Sequence, residues 1–244
     1  MAIEVDGENI AFKQNDKGLF ANDLEVALYA ADVKDGKIKE GTRDVLSLTL
    51  RPQTLAIVQR SAFRVVRRMQ LPPGKYQLRI GARESGGKIG SIIYELDAPD
   101  FSKGALAMSG IAISSNSGRS MPTASPDPSV NEFKDVLPGP PTATRDFPRG
   151  DTLAVFAEVY DNVPKTPHRV EITAAVLADD GKVVHTTSDM RKSEELQGAT
   201  GGYGYTTQIP LANMAPGRYV LRLTAKSLLG NSEPVTREVE FRVR

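Results

Sequence analysis

The chain has 244 residues, enough for one large or two ordinary domains, and its 40% hydrophobic content supplies apolar material for real cores. Its 31 basic and 30 acidic side chains leave a net charge of +1, which excludes the basic excess of a general nucleic-acid binder. Without cysteine it has no disulfides, thiolate metal sites or cysteine nucleophiles, and no run approaches the roughly 18 apolar residues of a membrane span.

Met1-Ala2 leads directly into IEVDGENIAF, with no basic segment followed by an apolar one. Such a start belongs to a cytoplasmic protein or to a piece of something longer. Leu24–Tyr29 then reads as a strand, and Leu46–Leu50 alternates apolar and polar residues perfectly. Between them, Asp35-Gly36-Lys37 predicts a type I′ hairpin turn, because Asp-Gly tolerates positive φ. A short helix is expected over Pro52–Arg60, where Pro suits the first helical position and Leu55 and Val58 share a face. A strand follows, with Phe63, Val65, Met69 and Leu71 facing in. Arg60, Arg64, Arg67 and Arg68 make a basic cluster around it, a solvated sheet face or, through Arg64 and Arg68, an anionic partner surface.

Tyr76–Ile80 is the next strand, and Leu106–Ser114 reads as the first strand of a second domain, with the boundary near Ala98–Lys103. Residues 115–150 contain seven prolines and predict an extended, irregular crossing rather than a strand or helix. A long loop of this kind tends to be functional. A second short helix is a candidate near Asn131 to Leu137. Leu153–Tyr160 reads as a largely buried strand, and Asp180-Gly181-Lys182 repeats the hairpin signal. Gly201-Gly202-Tyr203-Gly204-Tyr205 opens a strand with Tyr203, Tyr205, Thr207 and Ile209 on one face. Asn231 marks a turn before a last strand, on which Val239, Phe241 and Val243 share a face.

Two of these segments are the same segment. LPPGKYQLRIGAR at 71–83 and MAPGRYVLRLTAK at 214–226 are identical at Pro73/Pro216, Gly74/Gly217, Tyr76/Tyr219, Leu78/Leu221, Arg79/Arg222 and Ala82/Ala225. The copies lie about one small domain apart, which argues for duplication of a whole domain. Many short strands, regular turns and little helix then predict an all-β protein: two tandem immunoglobulin-like β-sandwich domains related by internal duplication. The first is expected over 1–101, and the second over 102–244 with its proline-rich loop at about 115–150. Tyr76 and Tyr219 follow Pro-Gly where a tyrosine corner would fall, so each hydroxyl is expected to bond back to upstream backbone.

Catalytic chemistry is sparse. His168 and His185 sit on separate elements, without the spacing of a metal site, and no GxSxG elbow supplies a nucleophile. Arg149-Gly150-Asp151 matches an adhesion tripeptide but reads better as a turn. Asp161-Asn162 and Asp179-Asp180 lack the converging oxygens that calcium wants. The expectation is a chain with no catalytic residues, metal or cofactor. Tyr203 and Tyr205 are candidates for a stacking platform that would bind carbohydrate or peptide.

PDFSKGALAMSG at 99–110, PGPPTATRDFPRGDTLAVFAEVYDN at 138–162 and GGYGYTTQIPLANMAPGRYVLRLTAKSLLGN at 201–231 resemble the C-terminal region of bacterial von Willebrand factor A-related exported proteins. NDLEVALYAADVKDGKIKEG at 22–41 and LPPGKYQLRIGARESGGKIGS at 71–91 resemble the preceding part of that region. In such proteins an upstream domain carries the metal-adhesion motif DxSxS. Asp100-Phe101-Ser102-Lys103-Gly104 departs from it at Gly104, so metal-dependent adhesion does not carry over. The resemblance implies an extracytoplasmic, non-catalytic structural or protein-interaction module whose partner is another protein or an upstream domain, with no nucleic acid and no membrane insertion.

Overall fold

Strand pairing repeats in this computed structural model as the sequence does. It describes residues 1–124, 133–163, 166–196, 203–230 and 232–244. The chain divides into two units, Met1–Asp100 with Ser120–Asn131, and Phe101–Arg119 with Glu132–Arg244. Pro126, Pro128, Asn131, Gly201, Gly202 and Asn231 lie outside the described residues.

In the first unit the strands are β1 (Ala2–Val5), β2 (Lys13–Gln14), β3 (Phe20–Asp32), β4 (Ile38–Leu50), β5 (Phe63–Val66), β6 (Gly74–Glu84) and β7 (Ile89–Ala98). The larger sheet runs β4-β3-β6-β7, with β2 against the start of β3. Alternation in β3 puts Leu24, Val26, Leu28 and Ala30 on one buried face. Burial of each of the three larger side chains stabilises by roughly 1.5–3 kcal/mol. An α-helix, α1 (Pro52–Arg60), buries Leu55 and Val58, and Pro occupies its first turn, where its missing N–H costs nothing.

The second unit contains β8 (Leu106–Met108) and β9 (Ala112–Ser115). The crossing then carries β10 (Thr123–Ala124), which belongs to the first unit, and β11 (Asp146–Phe147). The second unit continues with β12 (Thr152–Asp161), β13 (Arg169–Ala178), β14 (Val183–Lys192), β15 (Tyr203–Pro210), β16 (Gly217–Ser227) and β17 (Val235–Val243). Its larger sheet is ordered β14-β13-β16-β17, the order of β4-β3-β6-β7, with β11 added parallel to the end of β17. The fold is all-β, two tandem immunoglobulin-like sandwiches built on one repeated sheet.

The opposing sheets differ. In the second unit β12 pairs with β15 on one side and with β8 and β9 on the other. Leu153, Val155, Ala157 and Val159 of β12 and Val170, Ile172, Ala174 and Val176 of β13 fill the core between the sheets. In the first unit the opposing sheet is, among the described residues, β1-β5-β10, with strands of four, four and two residues. Strand β10 pairs parallel to β5, Thr123 opposite Arg64 and Ala124 opposite Val65. Part of the proline-rich crossing is therefore strand, where sequence reading gives only irregular chain: two residues are too few to show periodicity. Phe133–Leu137 makes one turn closed by the Leu137 amide on the Phe133 carbonyl, not a helix.

Both Asp-Gly hairpins are longer than the two-residue turn expected of them. The Asp32 amide bonds the Lys37 carbonyl around four residues, and the Ala178 amide bonds the Lys182 carbonyl around three. Gly36 and Gly181 take φ of 67° and 79°, and the carboxylates of Asp35 and Asp180 accept from the amides two residues on. Aspartate thus caps the loop while glycine alone enters the left-handed region.

Candidate functional site

A histidine does meet a carboxylate. His168 Nε2 lies 3.1 Å from Asp161 Oδ2, with both side chains buried. Its Nδ1 lies 2.8 Å from the Thr166 carbonyl. The Ser193 hydroxyl accepts from the His168 backbone amide, and the Ser193 amide donates to the His168 carbonyl. Neither ring nitrogen faces a hydroxyl, so the group lacks the base–nucleophile contact of acyl transfer. His185 stands on β14, opposite Val176. Among the described residues no three of His, Asp and Glu converge as metal ligands. No described helix is long and apolar enough to cross a membrane.

The tyrosines proposed as a platform part company. Tyr205 is 3% exposed and packs in the core, because its register places it opposite Ala157 on the inward face of β12. Tyr203 is half-buried, with the Arg191 guanidinium 4.9 Å above its ring and Asp189 accepting from Arg191. Burial pushes the Tyr203 hydroxyl up from its ordinary pKa, and the arginine opposes that shift. Strand alternation puts both rings inward, so they do not form a paired exposed surface. The glycine between them answers to packing: a Cβ on Gly204 would lie 2.9 Å from Phe156 Cε2, and Phe133 meets Phe156 edge-on at 5.8 Å.

The basic cluster divides similarly. Arg68 is exposed, but Arg64 is wholly buried. It lies in the middle strand of the small sheet, between Glu4 of β1 and Thr123 of β10. Its Nη2 is 3.7 Å from Glu4 Oε1. Burial lowers the Arg64 pKa and Glu4 opposes the shift. Arg67 pairs with Asp44. Arg64 is thus buried and not part of an accessible binding surface; one of the two strands flanking it, β10, comes from about sixty residues downstream. Asp151 of the tripeptide is also buried, accepting from the Ser117 hydroxyl and from the amides of Ser117 and Thr152.

Tyr76 and Tyr219 sit at corresponding places. The Tyr76 hydroxyl donates to the Pro72 carbonyl at 2.8 Å, and that of Tyr219 donates to the Ala215 carbonyl at 2.7 Å.

The surface that stands out is one that sequence reading passed over. Strand β7 pairs only with β6 among the described residues and forms the end of its sheet. Ile89, Ile92, Ile93 and Tyr94 are 71, 59, 68 and 59% exposed. Ile92 lies opposite Ile80 and Tyr94 opposite Leu78, both buried, so these two side chains point to the core side. Ile89 and Ile93 point to the outer side, opposite Arg83 and Arg79. The strand is therefore apolar on both faces and open along its edge. The only period-2 signal in GKIGSIIYELDA is broken by consecutive isoleucines, which hides the strand from a pattern search.

The sequence matches no family model and no curated protein. Among solved structures it is similar to a Parabacteroides merdae β-glucuronidase, at 11% identity over all of this chain and 28% of that one, with a TM-score of 0.30. It is also similar to a glycosyl hydrolase family 2 member from Bacteroides cellulosilyticus, at 9% identity over 100% of this chain and 28% of that one, TM-score 0.33. A third is dimeric latent PorU from Porphyromonas gingivalis, at 9% identity over 99% and 20%, TM-score 0.31. The chain spans less than a third of each of these structures.

Proposed function

We propose that the chain is a non-catalytic structural and protein-interaction module, and that it binds through the open edge of β7. The observation that carries this reading is the exposure of Ile89, Ile92, Ile93 and Tyr94 on both faces of an edge that is unpaired among the described residues. Natural sheets guard their edges with charge, proline or bulges, and an unguarded edge is a template for strand addition. The two faces offer alternate side-chain sockets, and the free backbone groups supply the hydrogen bonds. The resemblance to von Willebrand factor A-related exported proteins supports an extracytoplasmic setting and a protein partner, or a neighbouring domain of the same polypeptide.

The carbohydrate- or peptide-stacking alternative loses its platform with Tyr205 in the core. The Asp161–His168 contact supplies no nucleophile. A display selection of extended peptides against the folded chain tests the interaction reading. Binders should protect β7 amides from exchange and should fail on Ile93→Lys. Binders that map elsewhere and tolerate that change would refute it. Turnover of chromogenic glycosides or esters would refute the non-catalytic part.

A further inference from the structure

Strand β7 is unlike the other edges of the two sheets. On the opposite edge of its own sheet, β4 carries Lys39, Glu40, Arg43 and Asp44. In the second unit β14 is also uncharged over Val183–Ser188, but it turns polar from His185 on, its pairing with β13 is irregular at Val176/Leu177, and it ends in Asp189, Arg191 and Lys192; β17 is charged along its length and paired with β11. These are ordinary guards against edge-to-edge association. Over Ile89–Tyr94, by contrast, β7 has no charge and no proline, and its pairing with β6 runs from Ile89 to Ala98 without a bulge.

We infer that β7 pairs antiparallel with β7 of a second copy of this chain, joining two five-stranded sheets edge to edge about a twofold axis at Ile93. This rests on the reading of β7 as the contact surface and names its occupant. A twofold axis normal to the sheet keeps each face continuous, so opposite residues must share a face. Centring on Ile93 satisfies that condition. It places Ile93 opposite Ile93 of the second copy on the outer face. On the inner face it places Ile92 opposite Tyr94, and by symmetry Tyr94 opposite Ile92.

Three consecutive rungs are then apolar against apolar, and the inner two join an aromatic to a β-branched side chain, a favourable cross-strand pair. The charges fit the same register. Glu95 meets Ser91 and Asp97 meets Ile89, with Lys88 next in line, so each strand's acidic end runs beside the other's basic end. A shift by two residues one way puts Glu95 against Ile89 and Tyr94 against Gly90. The same shift the other way puts Glu95 against Ile93. Both shifts break the run of apolar rungs and bring Glu95 against an isoleucine, whereas the register centred on Ile93 opposes a charge to an isoleucine only at its outer rungs, Asp97 against Ile89.

The absence of native cysteine makes the register directly readable. Directly opposite Cα atoms in antiparallel strands are about 4.5–5.5 Å apart, within the range a disulfide bridges. Mild oxidation of the full chain carrying Ile93→Cys should give an intermolecular disulfide. Ser91→Cys and Glu95→Cys should each stay uncoupled alone, their own copies being about 13 Å apart, and should couple when mixed. Light scattering should show wild type passing from monomer to dimer mass as concentration rises. Ile93→Lys should remain monomeric with an unchanged circular dichroism spectrum, and Val45→Lys, on the other edge, should dimerise like wild type.

Monomer mass up to about 1 mM, or coupling of Glu95→Cys alone as readily as Ile93→Cys, would overturn self-pairing. Peptide binders that protect β7 of a protein monomeric throughout would overturn self-pairing and leave β7 a contact surface. Failure of both experiments would overturn both.

Discussion

Tyr219 donates its hydroxyl hydrogen to the carbonyl of Ala215, four residues upstream, and Tyr76 makes the same bond to Pro72. In each unit a buried ring spans the corner that leads into the central repeated strand, and its one polar atom is satisfied by backbone. Tyr76→Phe and Tyr219→Phe each remove a buried hydrogen bond and leave a carbonyl without its donor. Each should cost about 1–2 kcal/mol, read from the shift of a denaturant midpoint. Equal costs in the two units would mark the corner as a property of the repeated sheet.

Glu4 and Arg64 face each other across β1 and β5, with the guanidinium fully buried. Removing the carboxylate leaves a buried positive charge with less compensation than removing the whole pair. Glu4→Gln should destabilise by about 2–4 kcal/mol, whereas Glu4→Gln with Arg64→Met should recover much of that loss. Thermal unfolding of the single and double variants decides this; a double variant no better than Glu4→Gln alone would refute it.

Gly204→Ala should force the Phe156 ring away from β15 and from Phe133. The expected cost is about 1–2 kcal/mol, in the range of overpacked sites. In a Phe156→Leu background the same change should cost much less, because the blocking atom is gone. An unreduced cost there would mean that backbone conformation, not the ring, requires glycine.

Glu84 is held below the ordinary glutamate pKa, chiefly by the amides of Lys88 and Gly86 and also by Asn22. Its folded-state pKa is depressed, so its stabilisation is present above the unfolded value of about 4.3. It is lost as pH falls through the lower, folded value. Hydrogen exchange of the Lys88 amide, corrected for its intrinsic acid dependence, should therefore lose protection in that acid window. Glu84→Gln should abolish the pH dependence while lowering protection at neutral pH.

Much of the fold was legible because the repeated PGKY and PGRY strands alternate cleanly and their turns use Asp-Gly. Helix α1 was legible from Pro52 and the Leu55–Val58 spacing. Pairings remote in sequence were not. Nothing in RSAFRVV shows that Arg64 would stand beside Thr123 in a sheet, and a two-residue strand has no period of its own. The apolar character of β7 is legible as IGSIIY, yet its exposure depends on long-range packing that the sequence does not show. Tyr205 and Arg64 were misjudged for one reason: residue chemistry suggests contact with a ligand, while register decides which way the side chain points.

Strand β10 sets a temporal order. It enters the first sandwich only after β8 and β9 of the second have been laid down, so in a nascent chain emerging residue by residue the main sheet of the N-terminal sandwich is complete before the last strand of its small sheet is available. The β5–β10 pairing waits for Thr123 and Ala124 to leave the ribosome, by which time the C-terminal sandwich has begun. The two sandwiches are consecutive in their cores but interleaved in their synthesis, and the early chain must hold an unfinished sheet for the interval.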